Sequence, residues 1–135
     1  FDEGRLALLL AVLARRGNID ALASDVYLNA TGGVRISEPA ADLGVVLAVA
    51  SSRLDLPIPA DAAAIGEVGL GGEVRRVARL EPRVKEAARL GFRRILVPRA
   101  SAIAIPGAEL VPIDGVAEAV AWLLAQSRGD LPKRA

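Results

Sequence analysis

The chain has 135 residues, 53% hydrophobic and 24% charged, with a net charge of +1 and neither Cys nor His. That length supports one domain with a single core, burying roughly two thirds of the surface of the unfolded chain. The composition excludes a disordered or fibrous protein, and no apolar run reaches the ~20 residues that span a bilayer, so a soluble domain is expected. Without Cys or His there are no disulfides, no thiolate or Ser-His-Asp catalysis and no zinc site on those ligands, which leaves Ser, Thr, Lys, Asp and Glu for any chemistry. The chain starts at Phe1 in a helical pattern with no Met or basic leader, as expected of a piece of a longer protein.

The near-zero net charge hides an asymmetry. Residues 75–99 carry nine basic residues against Glu81 and Glu86, a local net of +7, and the remainder is −6. Fifteen of the seventeen basic residues are Arg, whose planar fork suits phosphate and carboxylate. A basic face for a polyanion is one reading; arginines spread over several faces, or paired with the acidic remainder, is the other.

In chain order, residues 3–16 predict a well-buried helix with an Asp2 cap, basic Arg15 and Arg16 in the last turn, and a stop at Gly17. Residues 25–30 alternate as a short strand running into a Thr31-Gly32-Gly33 turn. Ser37-Glu38-Pro39 opens a second helix, apolar almost all round, that belongs in the middle of the domain. Leu56-Pro57-Ile58-Pro59 reads as a surface connection. Residues 63–70 and 73–77 then read as two strands joined across Gly71-Gly72, a hairpin.

Glu81-Pro82 starts a third helix, with Leu80, Val84, Ala87 and Ala88 on one face and Arg79, Arg83, Glu86 and Arg89 largely on the other, ended by Gly91. Strands are expected at 94–97, stopped by Pro98, and at 109–112. Asp114 should cap a last helix reaching about Gln126, with a frayed tail over 127–135. The order describes an α/β domain on a mixed sheet with helices packed on it, spanning residues 1–126, with no repeat and no second domain.

The glycine-rich stretches lack both phosphate-loop and dinucleotide spacing, so nucleotide binding is rejected for this domain. Asp42, Asp55, Asp61, Glu67 and Glu73 are too scattered for a metal loop, and solvated or capping roles are expected of them. Ser37 reads as a helix cap, since a working Ser needs a base and only Lys85 and Lys133 could serve. Trp122 and Tyr27 are isolated, so no stacking platform is expected.

The stretches GGVRISEPAADLGVVLAVASS and IGEVGLGGEVRRVARLEPRVKEAARLGFRRILVP, with RLALLLAVLARR and IPGAELVPI, resemble the C-terminal, Lon-protease-like domain of the bacterial RadA/Sms DNA-repair proteins, which are RecA paralogues. The resemblance covers nearly the whole chain. It implies a Lon-like α/β fold, with a zinc-finger region and an ATPase core upstream and absent here. ATP, Mg and Zn would belong to that longer protein, and no cofactor or metal is expected in this domain.

True Lon proteases use a Ser-Lys dyad. Matching their motifs puts Ala40 at the Ser position and Glu81 at the Lys position, which implies a pseudo-protease with no catalytic residue. Ser37 and Lys85 lie three and four residues away, and a displaced dyad built on them would demand a rebuilt loop. The family further implies a cytoplasmic, hexameric ring that binds DNA, single-stranded, branched or double-stranded. Arg75, Arg76, Arg79, Arg83, Arg93 and Arg94 are the expected phosphate contacts, with Arg5, Arg15, Arg16 and Arg35 as further contributors. The alternatives are an oligomerisation scaffold whose arginines pair across subunits, or a residual peptidase.

Overall fold

The structure is a computed structural model that describes residues 3–17, 39–101 and 103–129. The strand expected at 25–30, the glycine turn after it, Arg35, the Ser37 cap and the Asp2 cap lie outside the described residues.

Helix α1 (Glu3–Arg16) buries Leu9, Val12 and Leu13, and Gly17 closes it through its N–H to the Leu13 carbonyl at 2.9 Å. A single 3-10 turn, Pro39–Ala41, leads into helix α2 (Asp42–Leu54). The α-helix therefore starts later than the Ser37-Glu38-Pro39 signal suggests. Ala41 makes no side-chain cap, and the Asp42 carboxylate is drawn away to the backbone N–H of Val68 at 3.0 Å and to Arg5. As the all-round apolar pattern requires, α2 is central: Leu43, Val45, Val46, Leu47, Val49 and Ala50 are all buried. Leu56 and Ile58 in the following connection also pack on this core, so that segment is partly anchored.

The expected strand 63–70 divides into two. Strand β1 (Ala62–Ala64) runs parallel to β4 (Arg94–Pro98), with Ala63 opposite Ile95, while β2 (Glu67–Val68) pairs antiparallel with β3 (Val74–Arg75). The break falls at Gly66. Its N–H donates to the Ala40 carbonyl at 2.9 Å and its carbonyl accepts the Leu43 N–H at 3.0 Å, so the chain leaves the sheet to brace the start of α2. A Cβ at Gly66 would come within 2.7 Å of a Val74 methyl, which explains why the bend carries glycine.

Strand β5 (Glu109–Ile113) adds parallel to β4, giving the order β1-β4-β5. Parallel and antiparallel pairing are both present, in two separate sheets among the described residues. Alternation along β4 sorts the core into two layers. Ile95 and Val97 meet Leu80 and Val84 of helix α3 (Leu80–Arg89), with Ala63 and Leu110 alongside. Leu96 faces the other way, onto the layer of α1, α2 and helix α4 (Val116–Gly129), with Ala64, Val111 and Ile113.

Helix α3 has the expected buried face of Leu80 and Val84 and ends before Gly91, at φ 101°. Helix α4 continues three residues past Gln126. Asp114 does not act as its expected cap: the carboxylate accepts from Arg99 Nε at 2.8 Å, and the first helical N–H, of Val116, donates to the Gly72 carbonyl. No helix among the described residues is long and apolar enough to cross a membrane.

Candidate nucleic-acid interface

The basic segment is built by β3, the link after it and the start of α3. Arg75 lies at the end of β3 with its side chain 54% exposed, and its nearest carboxylate is Glu73 at 3.5 Å. Arg76 and Arg79 are exposed, and neither has a carboxylate partner among the described residues. Arg79 holds a left-handed backbone, φ 58° and ψ 41°, immediately before α3. A non-glycine residue there costs on the order of 1 kcal/mol, supplied by the burial of Leu80 next to it. Arg83 donates Nε to the Ala78 carbonyl at 2.9 Å, which ties the link to the helix. Arg79, Pro82, Arg83 and Glu86 line a shallow open cavity of about 430 Å³.

Arg15 and Arg16, exposed at the end of α1, adjoin this segment through the β2–β3 turn. The Cβ and Cγ of Arg16 lie 2.7 and 2.9 Å from where a Cβ on Gly72 would fall. Only a glycine at that position admits the Arg16 stem.

The other arginines of the segment are drawn into pairs. Arg94 donates to Asp61 at 2.7 Å, reaches Gln126, and stands 5.9 Å from the centre of the Trp122 ring. That bond, with the Arg94 charge, holds the Asp61 carboxyl below its ordinary pKa. Arg99 bridges Asp114 and Glu118, at 2.8 and 2.9 Å, and both raise its pKa, Asp114 the more. On α3, Arg89 pairs with Glu86 at 2.5 Å and lowers its pKa, and Lys85 pairs with Glu81 at 3.2 Å. Arg93 is exposed and reaches the Gly107 carbonyl at 3.4 Å.

Arg5 faces inward. Its guanidinium donates to both carboxylate oxygens of Asp42, a residue with no exposed surface, and to the Val68 carbonyl at 3.3 Å. The bond to Asp42 raises the Arg5 pKa. Asp42 is thus neither solvated nor a helix cap, contrary to expectation: Arg5 and the Val68 N–H replace the water it loses. Nothing local in the sequence announces that pairing, since the partners are 37 residues apart.

At the position matched to a Lon nucleophile, Ala40 is buried in the 3-10 turn and its carbonyl accepts the Gly66 N–H. At the position matched to the Lon lysine, Glu81 is exposed in the first turn of α3 and pairs with Lys85. No group of three or more Asp or Glu residues that could hold a metal occurs among the described residues.

A two-faced α/β domain with a surface run of arginines defines the class. Residues 8–101 match the family model described as subunit ChlI of Mg-chelatase, and the chain belongs to that family. Within it, the relatives bear out the RadA/Sms resemblance. The chain is 45% identical over 89% of its length to DNA repair protein RadA of Aquifex aeolicus (strain VF5), and 49% identical over 88% to DNA repair protein RadA of Bacillus subtilis (strain 168). It is 48% identical over 74% of its length to DNA repair protein RadA of Escherichia coli (strain K12). The chain spans 27%, 27% and 22% of those proteins, about a quarter of the curated relatives it matches.

Proposed function

We propose that this domain is a non-catalytic, Lon-protease-like module of a cytoplasmic DNA-repair protein, binding the phosphate backbone without sequence preference and assembling as a hexameric ring. The observation that carries DNA binding is the run of exposed Arg75, Arg76 and Arg79 with half-buried Arg83 beside them, in which Arg76 and Arg79 are not neutralised by any described carboxylate. Arg15 and Arg16 extend it across the hairpin. Repetition of this patch around a ring would turn a modest subunit charge into a strong polyanion site. Arg93 is a marginal contributor, and Arg5 and Arg94 support the fold rather than the contact surface. ATP, Mg and Zn belong to the rest of the longer protein in this reading.

The pseudo-protease part rests on chemistry. Ala40 offers no nucleophilic atom, and Glu81, paired with Lys85, cannot act as a neutral amine base.

The test is fluorescence anisotropy of labelled single- and double-stranded DNA over a salt series, with the oligomeric state checked by light scattering. Wild type should show log K falling steeply with log salt. An Arg75→Ala, Arg76→Ala, Arg79→Ala variant should flatten the slope by about 0.9 per lost duplex contact at unchanged mass. Equal binding by both proteins would overturn the assignment, and a change of mass with intact affinity would favour the scaffold reading.

A further inference from the structure

We propose that Glu73 limits the basic run from within: its carboxylate stands against the Arg75 guanidinium where a DNA phosphate would otherwise stand, and DNA gains that arginine only by exchange. The proposal rests on the DNA-binding reading above. An exposed ion pair alone would not carry it, since such pairs are common and weak. What sets this one apart is that the turn fixes the carboxylate independently of Arg75.

The seat is built by the stretch Gly69-Leu70-Gly71-Gly72-Glu73. The Gly69 N–H donates to the Glu73 carbonyl and the Gly72 N–H to the Gly69 carbonyl, both at 2.9 Å, which closes a tight turn with Gly72 at φ 83°. The Glu73 side chain folds back over that turn. Its Oε1 accepts the Gly71 N–H at 3.0 Å, and a Cβ at Gly69 would collide with the same oxygen. Any side chain at position 69 would therefore expel the carboxylate. The turn itself is tied down from outside, with the Val116 N–H on the Gly72 carbonyl at 2.9 Å and the Val74 N–H on the Asp114 carbonyl at 2.8 Å. A negative charge is thus held beside the hairpin whatever Arg75 does.

Arg75 is held more loosely. It lies two residues further along, with Val74 buried between, so the Glu73 and Arg75 side chains leave the same face of the chain. Their N···O distance of 3.5 Å is the longest among the described ion pairs made by residues 75–99, the others running from 2.5 to 3.2 Å. Glu67 stands opposite Arg75 in the register, but its carboxylate is turned to Arg5, at 3.9 Å. When a phosphate takes Arg75, the carboxylate keeps the Gly71 N–H and its access to water, so no buried charge is stranded and the exchange is reversible. Until then the two charges cancel, and Arg75 adds little to the counterions that DNA releases. Arg76 and Arg79, which meet no carboxylate among the described residues, make the first contact.

The experiment is a double-mutant cycle on DNA affinity, read by anisotropy on a labelled duplex over a salt series. Glu73→Gln keeps an acceptor for the Gly71 N–H and removes only the charge. It should bind tighter than wild type, with a salt slope steeper by about 0.9, so that its advantage grows about fivefold as salt falls from about 0.3 M to about 0.05 M. In an Arg75→Ala background the same substitution should bring no such gain. Asp55→Asn changes the net charge equally at the far end of α2, about 20 Å from Asp42, and should behave as wild type. Thermal melts check each fold. An equal gain from Glu73→Gln with and without Arg75, or no gain with Arg75 present, overturns the competitor and leaves the DNA-binding reading standing. Absence of binding by wild type and Glu73→Gln alike overturns both.

Discussion

Asp42 at the start of α2 is fully buried, and Arg5 on α1 donates to both of its carboxylate oxygens. With the Val68 N–H as a third donor, this pair joins α1, α2 and the β2–β3 hairpin at one point. Removing one partner strands a charge away from water, and Arg5→Ala should destabilise the domain toward the lower end of the ~3–5 kcal/mol typical of a broken buried pair, because the Arg5 side chain retains 29% exposure. Urea denaturation checks it. If Arg5→Ala were as stable as wild type and bound DNA with a reduced salt slope, Arg5 would belong to the contact surface after all.

Gly72 offers a second test of the same region. It combines a φ of 83° with a space already filled by Arg16. Gly72→Ala should cost about 1 kcal/mol for the left-handed backbone, and more for displacing Arg16. The same substitution at Gly107, also left-handed but with nothing near a Cβ, should cost only the backbone part. Thermal melts of the two variants would separate these contributions, and equal losses would show that the Arg16 contact is not tight.

These sites also show what the sequence made legible. The helices, the Gly71-Gly72 hairpin and the stop at Gly91 are local patterns, and the structure has them. The division of residues 63–70 between two ladders is not local. Gly66 leaves the sheet only because Ala40 and Leu43, more than twenty residues earlier, supply its hydrogen-bond partners. The charge map found the basic segment, yet a count of charges could not separate Arg76 from Arg94. Asp61 and Gln126, which occupy Arg94, are 33 and 32 residues from it. Arg5 fails for the same reason, its partner being set by the packing of α1 on α2.

The response to pH follows from the absence of His and Cys. Asp61, Glu73 and Glu86 all have folded pKa values below ordinary: Asp61 through Arg94, Glu73 through its own backbone N–H and then that of Gly71, Glu86 through Arg89. A depressed carboxylate pKa contributes stability that is fully present above the unfolded values of about 3.9 for Asp and 4.3 for Glu, and lost as pH falls through the folded values. Stability should therefore be nearly flat from about pH 5.5 to pH 8.5 and decline below about pH 4. Melting temperatures across that range check it. Asp61→Asn should show a shallower acid decline, and a midpoint of loss near neutral pH would contradict the account.

The sharpest test of the interface compares two arginines of one segment. Arg76 is exposed and meets no carboxylate among the described residues, whereas Arg94 is bonded to Asp61 and Gln126 and lies over Trp122. If phosphate contact is the role of the exposed run, Arg76→Ala should lower the duplex salt slope by about 0.9 with no change in denaturation midpoint, since an exposed side chain outside any network contributes little to stability. Arg94→Ala should do the reverse, lowering the midpoint and changing Trp122 emission while leaving the slope of the folded protein intact. Both variants need salt-dependent anisotropy and a urea melt on the same preparation. Equal slopes for the two would mean that the separation of contact arginines from fold arginines, drawn from the pairing of each guanidinium, is wrong.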